Sequence, residues 1–296
     1  MNSKGAILLK YSLLATDLDG TLLNDEKEID VETIEAIQEY RSQGGRVVIC
    51  SGRSPLSTKW IARTIGLEGE PIIAYNGAIL LDETGEISEQ AIFQHEPLLL
   101  FWELCEAEGI YAHFYEGDTL LVPAVNKWNE NWIENNIPAL EKSGASPASC
   151  ETVRKYCQVK VIDHFYQYMK EQQPKITKIA VFDDGDRLAE FSKRIAEQVG
   201  GDMEISSSFN FLNLEISPSG VTKASALLKL IEQHGIPITQ TAAIGDNYND
   251  SLMLSMAGLG IAMGNAPEKV KLLADHVTGN NNEAGVAAAI RRYLLD

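Results

Sequence analysis

Two aspartates two residues apart are the first chemical signal in the chain. Asp17 and Asp19 follow the short apolar run 13–16, and side chains at positions i and i+2 of an extended segment point the same way. Both carboxylates should face one pocket, where one can stay ionised as a nucleophile or metal ligand and the other can act as general acid and base. A solvated acidic turn is the alternative, whereas a calcium loop is disfavoured because Leu22 stands where that loop requires glycine.

A second acidic group lies in the segment 245–250, which follows another apolar run near the C-terminus. It contains Asp246, Asn249 and Asp250. If this segment opens into the same crevice as Asp17, the like charges repel by about 4 kcal/mol for a pair about 4 Å apart at an effective dielectric of about 20. A divalent cation such as Mg²⁺, which prefers oxygen ligands, would cancel that repulsion. The alternative is a polar loop whose side chains only cap a helix.

Two further segments offer groups that could bind an anion. Ser51, Gly52 and Arg53 follow a buried strand, where a hydroxyl and the N–H groups of the next helix could hold a phosphate. Lys223 stands near the start of a predicted helix, and the helix dipole disfavours a cation at that end. Its position therefore suggests a functional role outside the helix, such as binding an anion. Taken alone, the serine could be an ordinary cap and the lysine an ordinary solvated side chain.

Composition and missing motifs exclude several classes of protein. The 296 residues include 25 basic and 42 acidic side chains, a net charge of −17, which disfavours nucleic acid and anionic membrane surfaces as partners. The chain contains no serine-hydrolase elbow, P-loop or zinc-binding spacing. Its four cysteines form no C-x-x-C pair and resemble free thiols of a reducing compartment. We expect the N-terminal segment not to act as a secretory signal, and residues 1–6 to be a ragged extension. We therefore predict a cytoplasmic protein; the oligomeric state stays open.

The candidate residues must be positioned by a sheet with alternating strands and helices. Buried runs at 13–17, 46–50 and 71–75 alternate with helical segments, a rhythm typical of a doubly wound parallel sheet with its functional residues at the carboxyl ends of the strands. Hairpins mixed with helices follow, and the alternation of buried strands and helices resumes after residue 217. The sequence thus predicts an α/β fold, with a core formed by residues 1–82 and 218–296 and an inserted α+β domain at 83–217.

The combination of motifs resembles the haloacid dehalogenase superfamily of phosphohydrolases, and in particular its Cof-type subfamily. The motifs stand in the family's order and cover nearly the whole chain. They are Asp17-Leu18-Asp19-Gly20-Thr21-Leu22, Ser51-Gly52-Arg53, Asn76-Gly77-Ala78, Lys223, Gly245-Asp246-Asn247-Tyr248-Asn249-Asp250 and Ile261-Ala262-Met263-Gly264-Asn265-Ala266. The position of the insertion is similar to that of the large α/β cap that such enzymes close over their substrates. Departures are small: Thr222 and Ala224 flank Lys223, Tyr248 lies within the acidic loop, and the lead before Asp17 is long.

The resemblance implies a role for each catalytic residue. Asp17 would attack phosphorus and become an aspartyl-phosphate, and Asp19 would protonate the leaving alcohol and then deprotonate the hydrolytic water. Ser51 would hydrogen-bond the transferring phosphoryl group, and Lys223 would neutralise the charge of the nucleophile and the phosphate. These roles agree with the chemistry of phosphoryl transfer, which depends on positioning and charge neutralisation.

The resemblance also implies a metal site and a phosphate site. Mg²⁺ would be held by the Asp17 carboxylate, the main-chain carbonyl of Asp19 and Asp246, with Asn249 and Asp250 supporting these ligands. Phosphate would be bound by Ser51, Gly52, Arg53, Lys223 and Asn249.

These expectations together predict an Mg²⁺-dependent phosphatase that hydrolyses small phosphorylated metabolites, with sugar phosphates as the favoured class. Two alternatives remain. A phosphomutase or phosphotransferase of the same superfamily would pass the phosphoryl group to a sugar, and a non-catalytic protein would sense a phosphorylated ligand. His113, Tyr115 and Asn76 are candidates for contacts at the cap or its hinge.

Overall fold

A computed structural model describes residues 9–130, 141, 147–156, 158–208 and 213–295 of the chain. The expected extension at residues 1–6 and Cys157 lie outside the described residues. Cys50, Cys105 and Cys150 are buried free thiols. None of the helices in the described part has both the length and the apolar character that a bilayer crossing requires.

The described residues form two sheets, and the larger has eight strands in the order β14-β13-β12-β1-β2-β3-β4-β5. Strands β14 to β3 in this order run parallel, and the last two pairs are antiparallel. The strands are β1 Leu13–Thr16, β2 Arg46–Cys50, β3 Ile72–Ala74, β4 Ile79–Leu81, β5 Ile87–Gln90, β12 Thr241–Gly245, β13 Leu259–Ala262 and β14 His276–Val277. This mixed sheet confirms the predicted α/β fold class.

Helices cover both faces of the larger sheet, which explains why its central strands are apolar throughout. Side chains of α1, α2 and α10 pack on one face in a cluster with Leu14 and Ile244. Side chains of α7 and α8 pack on the other face with Leu13 and Ala243. The helices of this unit are α1 Val31–Ser42, α2 Pro55–Thr64, α7 Lys223–Gln233, α8 Ser251–Met256, α9 Glu268–Lys271 and α10 Gly285–Ala289.

The smaller sheet has six strands in the order β10-β11-β9-β6-β7-β8 and forms the inserted cap. Helices α3, α5 and α6 pack on one of its faces, whereas Tyr115, Leu120 and Ala180 on the other face join the apolar cluster of the larger unit. Its strands are β6 Tyr111–Glu116, β7 Thr119–Val122, β8 Val159–Val161, β9 Lys178–Phe182, β10 Met203–Ser208 and β11 Asn213–Pro218. Its helices are α3 His95–Glu108, α4 Pro147–Tyr156, α5 Phe165–Gln172 and α6 Gly185–Val199.

One predicted boundary differs from the sheet topology. The insertion was expected to begin at residue 83, but β5 pairs with β4 in the larger sheet, so that sheet extends to Gln90. The hairpin turn at Asp82 therefore ends a core strand and does not lead out of the core. The division of the chain into two domains, with the second boundary near residue 218, stays a prediction.

Candidate active site

The carboxyl ends of three neighbouring parallel strands bring the candidate residues to one edge of the larger sheet. Thr16 of β1 lies beside Ile49 of β2 and Ile244 of β12. Asp17 follows β1 directly, Ser51 follows β2 and Asp246 follows β12. The Asp17 N–H donates to the Ile244 carbonyl at 2.9 Å, so the sheet pairing continues one residue past β1 and fixes the backbone of this aspartate.

Lys223 joins two of the acidic residues in the interior. Its ammonium donates to Asp17 Oδ1 at 2.6 Å and to Asp250 Oδ1 at 2.7 Å, and the side chain is completely buried. Thr222 and Ser225 form a capping box that starts α7 at this lysine. The helix thus holds the cation where the two carboxylates compensate it, although the dipole alone disfavours that end.

Asp250 shapes the acidic loop. Its Oδ2 accepts the backbone N–H groups of Asp246 and Asn247 at 3.0 and 2.9 Å, while its Oδ1 accepts from Lys223. Both oxygens therefore already have donors, and the side chain is fully buried. This arrangement suits a residue that supports the loop better than one that ligates an ion directly.

Asp17, Asp246 and Asp250 form an acidic group in which Asp17 and Asp246 could hold a metal ion and Asp250 could support them. One carboxylate oxygen from each lies within 4.8 Å of the others. Burial, and next the charge of Asp250, raises the pKa of Asp17 well above its usual value and that of Asp246 to about 6. Lys223 lowers the pKa of both carboxyls but does not compensate the group fully. The donor set of buried, closely spaced oxygens therefore fits a hard divalent cation.

Gly20 lies against Asp246 and leaves no room for a side chain. Its φ is +79°, and an added Cβ would lie 2.5 Å from Asp246 Oδ2, while Asp246 Oδ1 is fixed by the hydroxyl of Thr21 at 2.9 Å. We expect Gly20→Ala to displace this carboxylate and to weaken binding of divalent metal by about 10- to 100-fold, the usual cost of disturbing a ligand's support. Isothermal titration with MgCl₂ measures the change.

Gly69→Ala is the matched control for this substitution. Gly69 has a similar φ of +84°, but no atom of the described part of the chain lies within 4 Å of its added Cβ. The control therefore carries the backbone strain of a left-handed alanine without the contact to Asp246. Equal metal affinities in the two variants would show that Gly20 does not set the position of Asp246.

Asp19 is held by two cations and not by the acidic group. Arg53 donates to both of its oxygens, with Nε to Oδ2 at 2.6 Å and Nη2 to Oδ1 at 2.7 Å, and Lys27 Nζ donates to Oδ1 at 3.0 Å. Burial acts to raise the pKa of Asp19, but the hydrogen bonds and charges of Arg53 and Lys27 hold it well below its usual value. In this arrangement Asp19 is an ionised carboxylate, the form of a base and not of an acid.

Ser51, Asn249 and Asn76 are connected by hydrogen bonds where the larger sheet meets the cap. Ser51 is buried, and its hydroxyl accepts the Arg53 N–H at 3.1 Å. Asn249 donates to Asn76 Oδ1 at 3.0 Å, and its own buried Oδ1 has no hydrogen-bond partner among the described residues. The side chain of Asn249 is therefore directed to Asn76. Of the expected cap contacts, Asn76 lies at the junction, whereas His113 is fully buried among aromatic rings.

Sequence reasoning missed four residues of this region. Lys27 donates a hydrogen bond to Asp19, and Thr21 donates one to Asp246. The cap residues Lys178 and Glu215 form hydrogen bonds with Gly52 and Asn76, respectively, of the larger unit. Thr21 belongs to the first acidic motif, so its position was an available signal. The two cap residues had none, because nothing in their local sequence indicates which face of the smaller sheet meets the core.

Comparisons with known proteins agree with the fold and with the order of the motifs. Residues 14–290 match the model of a family described as haloacid dehalogenase-like hydrolases. The chain is 30% identical over 283 residues to the 5-amino-6-(5-phospho-D-ribitylamino)uracil phosphatase YcsE of Bacillus subtilis, covering 96% of each chain. It is 27% identical over 293 residues to the pyridoxal phosphate phosphatase YbhA of Escherichia coli, covering 96% of this chain and 98% of that protein.

A solved structure shows the same architecture. A haloacid dehalogenase-like hydrolase from B. subtilis superimposes with a TM-score of 0.79 at 28% identity, over 96% of this chain and 100% of the other. The resemblance that the motifs indicated is thereby confirmed. Since the family match and these similarities extend over nearly the whole chain, the protein belongs to the haloacid dehalogenase-like hydrolase family.

Proposed function

We propose that this protein is an Mg²⁺-dependent phosphatase that hydrolyses phosphomonoesters of small metabolites through an aspartyl-phosphate on Asp17. One observation carries the proposal: a buried aspartate at the end of the central strand is bound by a fully buried lysine and adjoins a second aspartate that could share a metal ion. This arrangement supplies a fixed carboxylate nucleophile together with the positive charge that phosphoryl transfer requires.

The side chains divide the reaction among them in the proposed mechanism. Asp17 Oδ2, the oxygen not bonded to Lys223, attacks phosphorus, and Lys223 offsets the negative charge of the reacting groups. The Asp17 and Asp246 carboxylates and the Asp19 carbonyl would hold the ion, and Asp250 and Asn249 would support them. When bound, Mg²⁺ would neutralise phosphate charge and orient the phosphoryl group for in-line attack.

Asp19 requires a change of partner to serve as the acid. A substrate phosphate entering beside Ser51 and Gly52 would attract Arg53, because a guanidinium binds phosphate oxygens as well as it binds carboxylate oxygens. Once Arg53 binds the phosphate and no longer binds Asp19, the pKa of Asp19 would rise. The carboxyl could then protonate the leaving alcohol. In the second step the ionised Asp19 would remove a proton from the water that hydrolyses the aspartyl-phosphate.

The proposed substrates are small phosphorylated metabolites, with sugar phosphates as the first class to test. Two relatives are named as phosphatases of phosphorylated small molecules, a ribitylaminouracil phosphate and pyridoxal phosphate. These names support phosphorylated small molecules as the general substrate class. Sugar phosphates, in contrast, are the class favoured in the sequence analysis. We also propose that the enzyme acts in the cytoplasm and does not use nucleic acid or membrane as a partner.

Phosphate release in a substrate panel tests the proposal. We expect the purified protein to release inorganic phosphate from p-nitrophenyl phosphate and from several sugar phosphates with MgCl₂. Chelation with EDTA should reduce this rate by about 100-fold or more, because a metal ion supplies several kcal/mol of charge stabilisation in such transition states. Restoration by excess MgCl₂ is the control for damage by the chelator.

The same panel separates the alternatives. An isomerised sugar phosphate without inorganic phosphate would indicate a phosphomutase or phosphotransferase. No turnover of any phosphomonoester with Mg²⁺ would overturn the phosphatase proposal and favour a phosphometabolite sensor.

A further inference from the structure

Two charged residues of the cap reach across to the active-site loops. The Lys178 ammonium, on β9, donates to the Gly52 carbonyl of the larger unit at 2.7 Å and to Glu215 Oε1 on the adjacent strand β11 at 2.6 Å. It also lies over the rings of Tyr75 and Tyr115, 5.9 and 5.8 Å from their centroids. The side chain is 6% exposed. The cation is therefore enclosed by both units at once.

Glu215 continues the connection into the larger unit. Its Oε2 accepts from Asn76 Nδ2 at 2.6 Å, and it lies so close to Gly52 that an added Cβ there would be 3.1 Å from this oxygen. Asn76 in turn accepts from Asn249 of the acidic loop, and its backbone N–H donates to the Ser51 carbonyl at 2.9 Å. One network thus connects the cap to the serine loop, the Asn76 turn and the acidic loop.

Stability alone is a poor reason for this network. A buried ion pair loses hydration that its mutual attraction only partly repays, and apolar replacements are often equally stable. The hydrogen bond from Lys178 to the Gly52 carbonyl and the hydrogen bond from Asn76 to Glu215 exist only while the cap lies against the core. Their free energy therefore favours the closed arrangement, in which the cap lies against the core, over an open one. Only such a difference in contacts between two arrangements can shift the equilibrium between them.

We propose that Lys178 and Glu215 are positioning residues that couple closure of the cap to the placement of the serine and acidic loops. When the cap closes, Lys178 fixes the Gly52 carbonyl between Ser51 and Arg53, and Glu215 fixes Asn76 and, through it, Asn249. The pair does not touch the reacting atoms. Its effect on turnover rests on the proposed phosphatase function, whereas its effect on the loops does not.

The test compares Lys178→Met, Glu215→Gln and the double variant. The double variant removes both charges together and so avoids leaving one buried charge unpaired. We expect kcat/KM to fall by about 10- to 100-fold, the range of a charged hydrogen bond, and by the same factor for p-nitrophenyl phosphate and for a hexose 6-phosphate. Hydrogen exchange at the amides of residues 75 and 76, which donate to Arg53 and Ser51, should become faster.

Glu108→Gln is the control variant, because the carboxylate of Glu108 pairs with Arg194 inside the cap. It should leave both readouts unchanged. A loss confined to the hexose phosphate would identify a contact to the leaving group and overturn the proposal. Unchanged exchange in the double variant would overturn it as well. If the wild-type protein releases no phosphate, the phosphatase proposal fails, and the exchange measurement still decides the role of this pair.

Discussion

Asp17→Asn is expected to reduce phosphate release by about 10⁴-fold or more, the scale on which loss of a nucleophile acts in other hydrolases. An amide cannot attack phosphorus, and it has no second charged oxygen to share with a metal. The fold should persist. Burial and the charges of Asp250 and Asp246 raise the pKa of this carboxyl, so a neutral side chain is accommodated at least as easily as the charged one.

Phosphate release and thermal unfolding together measure this prediction. Asp163→Asn is the matched control, because Asp163 is an exposed carboxylate of the cap and should affect neither quantity. Acid quenching of the wild-type reaction followed by peptide mass spectrometry should find a phosphoryl group on the peptide that contains Asp17. Turnover of the Asp17→Asn variant within a few-fold of the wild type would refute the assigned nucleophile.

The edge of the sheet where the site lies was predictable because parallel strands deliver their next residues to a common edge. Asp17, Ser51 and Asp246 each follow a short apolar strand, and the registers of those strands place them side by side. Lys223 was marked by its unfavourable place at a helix start, and the structure brings its ammonium to Asp17 and Asp250. In each of these cases local sequence and topology were sufficient.

Pairing among charged side chains was less predictable. Asp19 was expected beside Asp17 in one pocket, but Arg53 and Lys27 bind its carboxylate. An i, i+2 spacing determines that two side chains point to the same side of an extended segment. It does not determine which of several nearby cations each side chain binds. The choice depends on the path of the serine loop, which lies 34 residues away along the chain.

Strand β5 and the network between cap and core show a second limit. Residues 87–90 are mostly exposed and read Ile-Ser-Glu-Gln, so they lack the buried apolar pattern that marked the central strands. Backbone pairing with β4 places them in the larger sheet. Lys178 and Glu215 meet Gly52 and Asn76 only because two sheets pack together, and neither sheet's own sequence specifies that docking.

Lys223→Met is expected to impair both turnover and stability. Asp17 and Asp250 would lose the cation that lies within 2.7 Å of each and would remain as buried carboxyl groups without this counter-ion. Removing one partner of a buried ion pair costs about 3–5 kcal/mol of unfolding free energy. Phosphate release should fall by about 10³-fold or more, because the nucleophile loses both its fixed position and the positive charge beside the reacting phosphate.

Lys229→Met separates this effect from the general loss of a lysine in the same helix. Lys229 is 59% exposed and pairs with Glu89 at the surface, so its replacement should change the unfolding free energy by less than about 1 kcal/mol and leave turnover intact. Denaturant unfolding with EDTA present measures the stability of both variants without any contribution from metal binding. If Lys223→Met unfolds like Lys229→Met, the two carboxylates do not depend on this lysine, and the electrostatic account of the site is wrong. If it is destabilised as expected but retains full turnover, Lys223 supports the fold alone and another cation must neutralise the phosphate.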